Sequence, residues 1–274
     1  METQAERAER FLSLHDEEQP LLLPNPWDQG SAKLLASLGF KALATTSSGF
    51  AGTLGRLDGS ISREEAIAHS TAIVEATDLP VSADLENGFG DDAPGVAETF
   101  RLAREAGLAG ASIEDYTGDK EDPIREIGLA TERVTAAAEA AHDDSAHLVL
   151  TARAENHLYG AADLADTIAR LQAYQEAGAD VLYAPGLRRL EDIRQLVSSV
   201  DRPVNVLAWP GGPSVSELAS AGVSRVSIGG AFAFTALGAV VEAARELIDE
   251  GTYGFWERGG IGAETAKAAF APGP

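Results

Sequence analysis

One corner recurs four times along this chain. In SLGFKAL, EAGLAGA, EAGADVL and SAGVSRV a glycine (Gly39, Gly107, Gly178, Gly222) separates an amphipathic stretch from an apolar run. A helix that ends there in the left-handed conformation needs a residue without Cβ. A chain that builds the same helix-to-strand joint repeatedly is repeating a β-α unit. Eight apolar runs of strand length support this reading: PLLLPN, KALATT, LPVSADL, AGASIED, HLVLTARA, ADVLYAP, RPVNVLA and SRVSIGG. Several are almost continuously apolar, as parallel strands covered on both faces must be. Capping-box spacing at Ser62 with Glu65 and at Ser214 with Glu217 marks two helix starts.

Eight such units without a linker or a shift in composition fit one closed (β/α)8 TIM-type barrel, and the 274 residues suffice for it. A doubly wound open sheet is the competing architecture. The barrel is expected to occupy residues 1–240, with 241–274 forming a C-terminal helix and aromatic tail. Phe255 and Trp256 in that tail need an apolar cover, which suggests a subunit contact.

The formal net charge of -22 argues against nucleic acid as a partner, because phosphates need an opposing basic surface. With no cysteine, disulfides, thiolate metal sites and cysteine nucleophiles are excluded. The polar start METQAERAERFLSLHDEE is unlike a secretory signal, and no run is long enough to span a membrane, so a soluble cytoplasmic protein is expected.

Barrel chemistry gathers at the C-terminal ends of the strands. Those ends carry Asn25, Asp28, Thr46, Ser47, Ser48, Asp84, Glu86, Glu114, Asp115, Arg153, Glu155 and Asn205, and the opposite ends carry little of this kind. Asp84, Glu86 and Glu114 come from adjacent strands, with Asp58 available from a loop. Carboxylates crowded into one mouth repel one another, and either a cation is shared or protons are taken up; a divalent metal is the economical answer. All-oxygen ligation suits Mg²⁺ or Mn²⁺, with Asp84 as the direct ligand and the others holding metal-bound water.

Arg153 either pairs only with Glu155 or Glu114, or grips a substrate carboxylate or phosphonate. TTSSGF is either an ordinary turn or a loop cradling an anion. Asp91 and Asp92 read as helix caps. Asn205, pointing inward, is a candidate substrate contact. His15, His69, His142, His147 and His157 do not sit at metal-ligand spacing; four read as surface or helix residues, and only His157 lies near a strand end.

Taken together, PNPWDQGSAKLL, TTSSGF, SADLENGFG, SIEDYTGDK and TARAENHL resemble the isocitrate lyase and phosphoenolpyruvate mutase superfamily over nearly the whole chain. The resemblance implies a Mg²⁺-binding barrel acting on a small 2-oxo or 2-hydroxy carboxylate through an enolpyruvate-type species. It matches Asp84 to the principal metal ligand, with Asp58, Glu86 and Glu114 supporting through water. Ser48, Gly49 and Phe50 match the loop that holds a substrate carboxylate, and Arg153 matches the gripping arginine. It also implies a dimer or tetramer that exchanges its last helix.

The chain departs from the lyase pattern in two places. The gating loop reads YTGDKEDP, without the cysteine acid-base, and Pro185 in YAPG replaces an acidic or histidine residue. Lys120 resembles the lysine of the phosphonate-handling branch, and Lys120 or Tyr116 is the candidate proton donor. The expected reaction is cleavage or formation of a carbon-carbon bond. Phosphonopyruvate mutase or hydrolase chemistry and non-catalytic binding of a 2-oxo acid are the alternatives.

Overall fold

A computed structural model describes residues 2–143 and 146–271. The strands are β1 (Leu21–Leu23), β2 (Leu43–Ala44), β3 (Val81–Asp84), β4 (Gly110–Glu114), β5 (Val149–Arg153), β6 (Val181–Tyr183), β7 (Val204–Leu207) and β8 (Arg225–Ser227). They form one parallel sheet in the order β1-β8-β7-β6-β5-β4-β3-β2. The Ala44 N–H donates to Pro24 O at 3.0 Å and joins the two outer strands, so the sheet is the expected barrel.

Helices α1 (Gln4–Ser13), α2 (Gln29–Ser37), α3 (Ser47–Thr53), α4 (Arg63–Ala76), α5 (Ala93–Glu105), α6 (Ile127–Ala141), α7 (Leu164–Glu176), α8 (Leu190–Val197) and α9 (Val215–Ser220) accompany the strands. The four joint glycines have φ of 93°, 81°, 106° and 82°, the left-handed corner expected of them. Both capping boxes form, and Asp92 caps α5 through the Gly95 N–H.

The base of the barrel is closed by α1. Its Phe11 is fully buried in an apolar cluster with Leu21, Ala109, Val149 and Val181. A Cβ on Gly110 would lie 2.8 Å from the Phe11 ring, so the strand start must be bare there. Burying such a ring contributes roughly 1.5–3 kcal/mol. With the base plugged, the mouth at the strand C-termini is the open end.

Beyond β8, α10 (Ala231–Arg245) runs across position 240 into a π-helical turn, Glu246–Glu250, which Gly251 ends at φ 67°. The expected aromatic tail is itself a helix, α11 (Trp256–Phe270), which packs on α2. Its sequence contains three glycines and only weak periodicity, so the helix was not legible. Along α10 and the π turn, Phe234, Val240 and Ile248 are 53%, 65% and 79% exposed. No helix among the described residues is long and apolar enough to cross a membrane.

Candidate active site

Strand register builds the mouth. Glu114 pairs with Arg153 across β4 and β5, Arg153 with Tyr183 across β5 and β6, and Asp84 with Ser112 across β3 and β4. Arg153 thus stands among the acids. Its Nη1 donates to Asp84 Oδ1 at 3.0 Å and lies 3.2 Å from Glu114 Oε2, while Nε donates to Glu155 Oε1 at 2.7 Å. The guanidinium also lies over the Tyr183 ring, 5.2 Å from its centroid. Both ion pairs named as one of the two readings of Arg153, with Glu155 and with Glu114, are present, and Asp84 is added to them.

The other Asp84 oxygen accepts the Ser47 N–H at 3.0 Å, and the Asp84 N–H donates to Thr45 Oγ1 at 2.9 Å. Asp84 is therefore held in place from the neighbouring strand. Glu86 is aimed differently: it and Phe89 have φ of 47° and 54°, a left-handed backbone that costs a non-glycine residue about 1 kcal/mol. Arg133 holds this loop from behind, with Nη2 donating to Asn87 O at 2.8 Å and Gly90 O at 2.7 Å. The strained turn brings the Glu86 carboxylate back over the mouth, where Oε1 is shielded from solvent and accepts no hydrogen bond.

Five carboxylates (Asp58, Asp84, Glu86, Glu114, Glu155) face one buried guanidinium, and the titration of four of them reflects this crowding. Burial pushes Glu86 up to about 8, with Asp84 and then Asp58 adding to the effect. Burial raises Glu114 well above the carboxylate range against the opposing pull of Arg153. Burial also takes Glu155 to about 7, again opposed by Arg153. On the rim, partial desolvation raises Asp58, and Asp84 adds to it.

A divalent cation fits this donor set. The ligands are hard oxygens, one of them is orphaned, and repulsion among them would be relieved. Among the described residues, no three of these carboxylates bring oxygens within 4.8 Å of one another.

Two cavities meet here. The inner one, about 190 Å³, is lined by Asp84, Arg153, Ser48, Tyr183, Pro185 and Asn205 among others. The outer one, about 610 Å³, includes Glu86, Glu114, Glu155, Tyr116, Lys120 and Tyr159. Ser47, Asp58, Arg153 and Leu158 line both. Asn205 accepts from Arg225 Nε at 3.0 Å and donates to Ser227 Oγ at 2.9 Å.

Segment 47–50 is neither a turn nor an open loop, but the start of α3, capped by Thr46. The Gly49 N–H donates to Thr46 Oγ1 and the Phe50 N–H to Thr46 O, so both are already engaged. Ser48 lines the inner cavity, whereas the Phe50 ring stacks on His69 at 3.9 Å. Gly49 has no room for a side chain, since a Cβ would lie 2.6 Å from Thr46 Cγ2.

The loop after β4 is a small closed hairpin. Tyr116 bridges Ile124, the Thr117 N–H donates to Pro123 O at 2.9 Å, and the Arg125 N–H donates to Asp115 O at 3.0 Å. The Tyr116 ring stacks on Tyr159 with centroids 4.1 Å apart, and Lys120 is exposed near the tip. Tyr159 and Tyr183 were missed from sequence. Tyr183 carried a signal as an inward-facing position of VLYAP; Tyr159 lies in a loop without periodicity.

Other strand-end polar residues serve the frame. Asp28 caps α2. Asn25 ties β1 to Thr45 O and the Ile228 N–H. Asp115 accepts from Tyr174 Oη at 2.7 Å, Arg170 Nη1 at 3.2 Å and the Glu155 N–H at 2.8 Å.

The opposite end is richer than expected. His15 is buried against Phe11, and burial, then Arg225, lowers it to about 4. His142 and His147 converge with Asp180, which corrects the reading that no histidines sit at metal-ligand spacing. Asp180 is distant in sequence from the two histidines, and a short ladder that apolar periodicity does not reveal brings the histidines opposite one another.

This barrel, with acids and a buried arginine at its mouth, belongs by comparison with known proteins to the enzymes of the isocitrate lyase and phosphoenolpyruvate mutase superfamily. The phosphoenolpyruvate phosphomutase family model matches residues 11–248, and the chain belongs to that family. A solved structure from Burkholderia cenocepacia J2315, provisionally described as a lyase/mutase, superimposes with a TM-score of 0.94 at 49% identity, over 98% of this chain and 97% of that one. The 2-methylisocitrate lyase of Escherichia coli K12 is 31% identical over 226 residues, 78% of this chain and 75% of the relative. An oxaloacetate decarboxylase of Chromohalobacter salexigens is 29% identical over 245 residues, 81% and 79% of the two chains.

Proposed function

We infer that this protein is a Mg²⁺-dependent enzyme that cleaves or forms a carbon-carbon bond in a small 2-oxo or 2-hydroxy carboxylate, through an enolpyruvate-like species. The observation that carries this is the juxtaposition of Asp84 and Arg153 at 3.0 Å between two connected cavities. A cation ligand and an anion-gripping guanidinium side by side suit a substrate that chelates through one end.

Asp84 would hold Mg²⁺ (or Mn²⁺) directly, with Asp58, Glu86 and Glu114 accepting from its water shell. The bound ion would act as a Lewis acid, stabilising negative charge on the substrate oxygen next to the breaking bond. Arg153 orients the substrate carboxylate, with Ser48 and Asn205 lining the floor of the same cavity. The Tyr116–Ile124 hairpin and Tyr159 screen the outer cavity from water. Tyr116 and Lys120 line that cavity and are placed to deliver a proton from the lid side.

The apolar face of α10 and the π turn is the surface for a second copy of the chain, giving a dimer or tetramer. Relatives named as a lyase and a decarboxylase support the reaction class. The test is to assay purified protein with Mg²⁺ on oxaloacetate, isocitrate, methylisocitrate and phosphonopyruvate, following pyruvate, glyoxylate and phosphate. Turnover of a carboxylate substrate, lost in Asp84→Ala, is expected. Turnover of phosphonopyruvate alone, or binding without turnover across the panel, would overturn the assignment.

A further inference from the structure

The closed base of the barrel carries a second cluster with ligand chemistry. His142 and His147 stand directly opposite one another in a two-residue antiparallel ladder between α6 and β5. Asp180 comes from the joint between α7 and β6. One ligand atom from each lies within 4.8 Å of the others. His142 Nε2 is 2.9 Å and His147 Nε2 3.4 Å from the same oxygen, Asp180 Oδ2.

The three groups are fixed before any ligand arrives. Asp180 Oδ2 also accepts the Leu150 N–H at 2.8 Å, which ties the carboxylate to β5. The two imidazoles stack with centroids 4.3 Å apart and an angle of 3° between planes, so both edges face the same way. Gln4 of α1 donates to His147 O at 2.9 Å and Leu108 O at 2.8 Å, pinning the ladder to the base. The histidine side chains remain 26% and 40% exposed, so an ion can enter.

This arrangement is incomplete by itself. Two ring nitrogens converge on one oxygen, and His147 Nε2 is shielded from solvent without a hydrogen bond. A proton competes for this position, because the Asp180 carboxylate raises His147 above its ordinary value. A single dication accepts a lone pair from both neutral rings and one from the carboxylate.

The geometry points to a transition-metal site formed by His142, His147 and Asp180, with Zn²⁺ as its natural occupant and water completing a tetrahedron. Two imidazoles and a carboxylate favour Zn²⁺ and its neighbours over Mg²⁺, which prefers the all-oxygen mouth. His147 precedes Arg153 by six residues, about 20 Å along an extended strand at about 3.3 Å per residue. The base site is thus remote from the mouth, and its role is to clamp the α6–β5 and α7–β6 joints.

The test uses the full chain saturated with Mg²⁺, so that the mouth is filled. Zn²⁺ is titrated calorimetrically into wild type, His142→Gln and His147→Gln, with circular dichroism confirming that each is folded. Wild type should take up one equivalent and show a raised Tm. Each variant should lose at least about 100-fold in Zn²⁺ affinity, since even residues that only support metal ligands contribute 10–100-fold. Co²⁺ should give a four-coordinate visible spectrum in wild type that both variants lack, while their Mg²⁺ binding is unchanged. Absence of Zn²⁺ uptake by the Mg²⁺-saturated wild type, or equal uptake by both variants, would overturn the assignment.

Discussion

Glu86→Gln in the metal-free protein tests whether the mouth is electrostatically strained. Glutamine keeps the shape of the side chain and the backbone cost of φ 47°, so the substitution isolates the charge. The folded protein raises this carboxyl from 4.5 to about 8, through burial and then Asp84 and Asp58. A raised acid favours folding fully below pH 4.5, and the advantage is lost as pH rises towards about 8. At 1.36 kcal/mol per unit, the whole window corresponds to about 5 kcal/mol. Water reaching the half-buried side chain screens part of this, and about 2 kcal/mol is the expected remainder. Urea unfolding with a chelator present should therefore find the variant equal to wild type near pH 4.5 and about 2 kcal/mol more stable near pH 8. Saturating Mg²⁺ should shrink the gap, because the cation stabilises the ionised wild-type carboxylate. Parallel stability curves across that pH range, or a less stable variant at pH 8, would refute the reasoning.

Three further outcomes follow from the same coordinates. Gly90→Ala places a Cβ 2.4 Å from Gly95 C and Val96 N, so it should destabilise by about 1–3 kcal/mol in urea unfolding and weaken Mg²⁺ binding by displacing Glu86. Val240→Ser with Ile248→Ser, at positions 65% and 79% exposed, should shift sedimentation towards monomer with the helical circular dichroism intact. Oxalate should bind more tightly in Mg²⁺ than in chelator, and Mg²⁺ more tightly in oxalate by the same factor; affinities independent of each other would contradict the coupling of Arg153 to Asp84.

The barrel was legible because its signals are local. Gly39, Gly107, Gly178 and Gly222 mark corners whose backbone only glycine adopts cheaply, and continuous apolar runs mark strands covered on both faces. The pairing of Glu114 with Arg153 followed once strand ends were known, since register aligns them, whereas Asp84 lies opposite Ser112 and is reached by the length of the Arg153 side chain. Other features depend on tertiary contacts that no spacing encodes. Tyr159 meets Tyr116 across two loops, His15 is buried because α1 plugs the base, and His142 meets His147 through a two-residue ladder and Asp180 through its side chain. Ser47–Thr53 was ambiguous for a different reason: a short helix rich in serine and glycine is held by its Thr46 cap and by Asp84 rather than by propensity.

The central pair also explains why the mouth does not choose the reaction. Nε and Nη1 of Arg153 are occupied by Glu155, Asp84 and Glu114, so a carboxylate that grips either of these nitrogens displaces one of the three. Displacing Glu155 exposes a carboxyl that already titrates near 7, and it can leave the ion pair as a neutral acid. Displacing Asp84 strands a charge unless another cation takes it. Anion gripping and cation binding are therefore two sides of one exchange, indifferent to what lies beyond the chelating end of the substrate. In the proposed reaction the bond that breaks would lie towards the outer cavity, which Tyr116, Tyr159 and Lys120 line. On that proposal selectivity would reside there, in side chains carried by loops outside the strand register that positions Arg153.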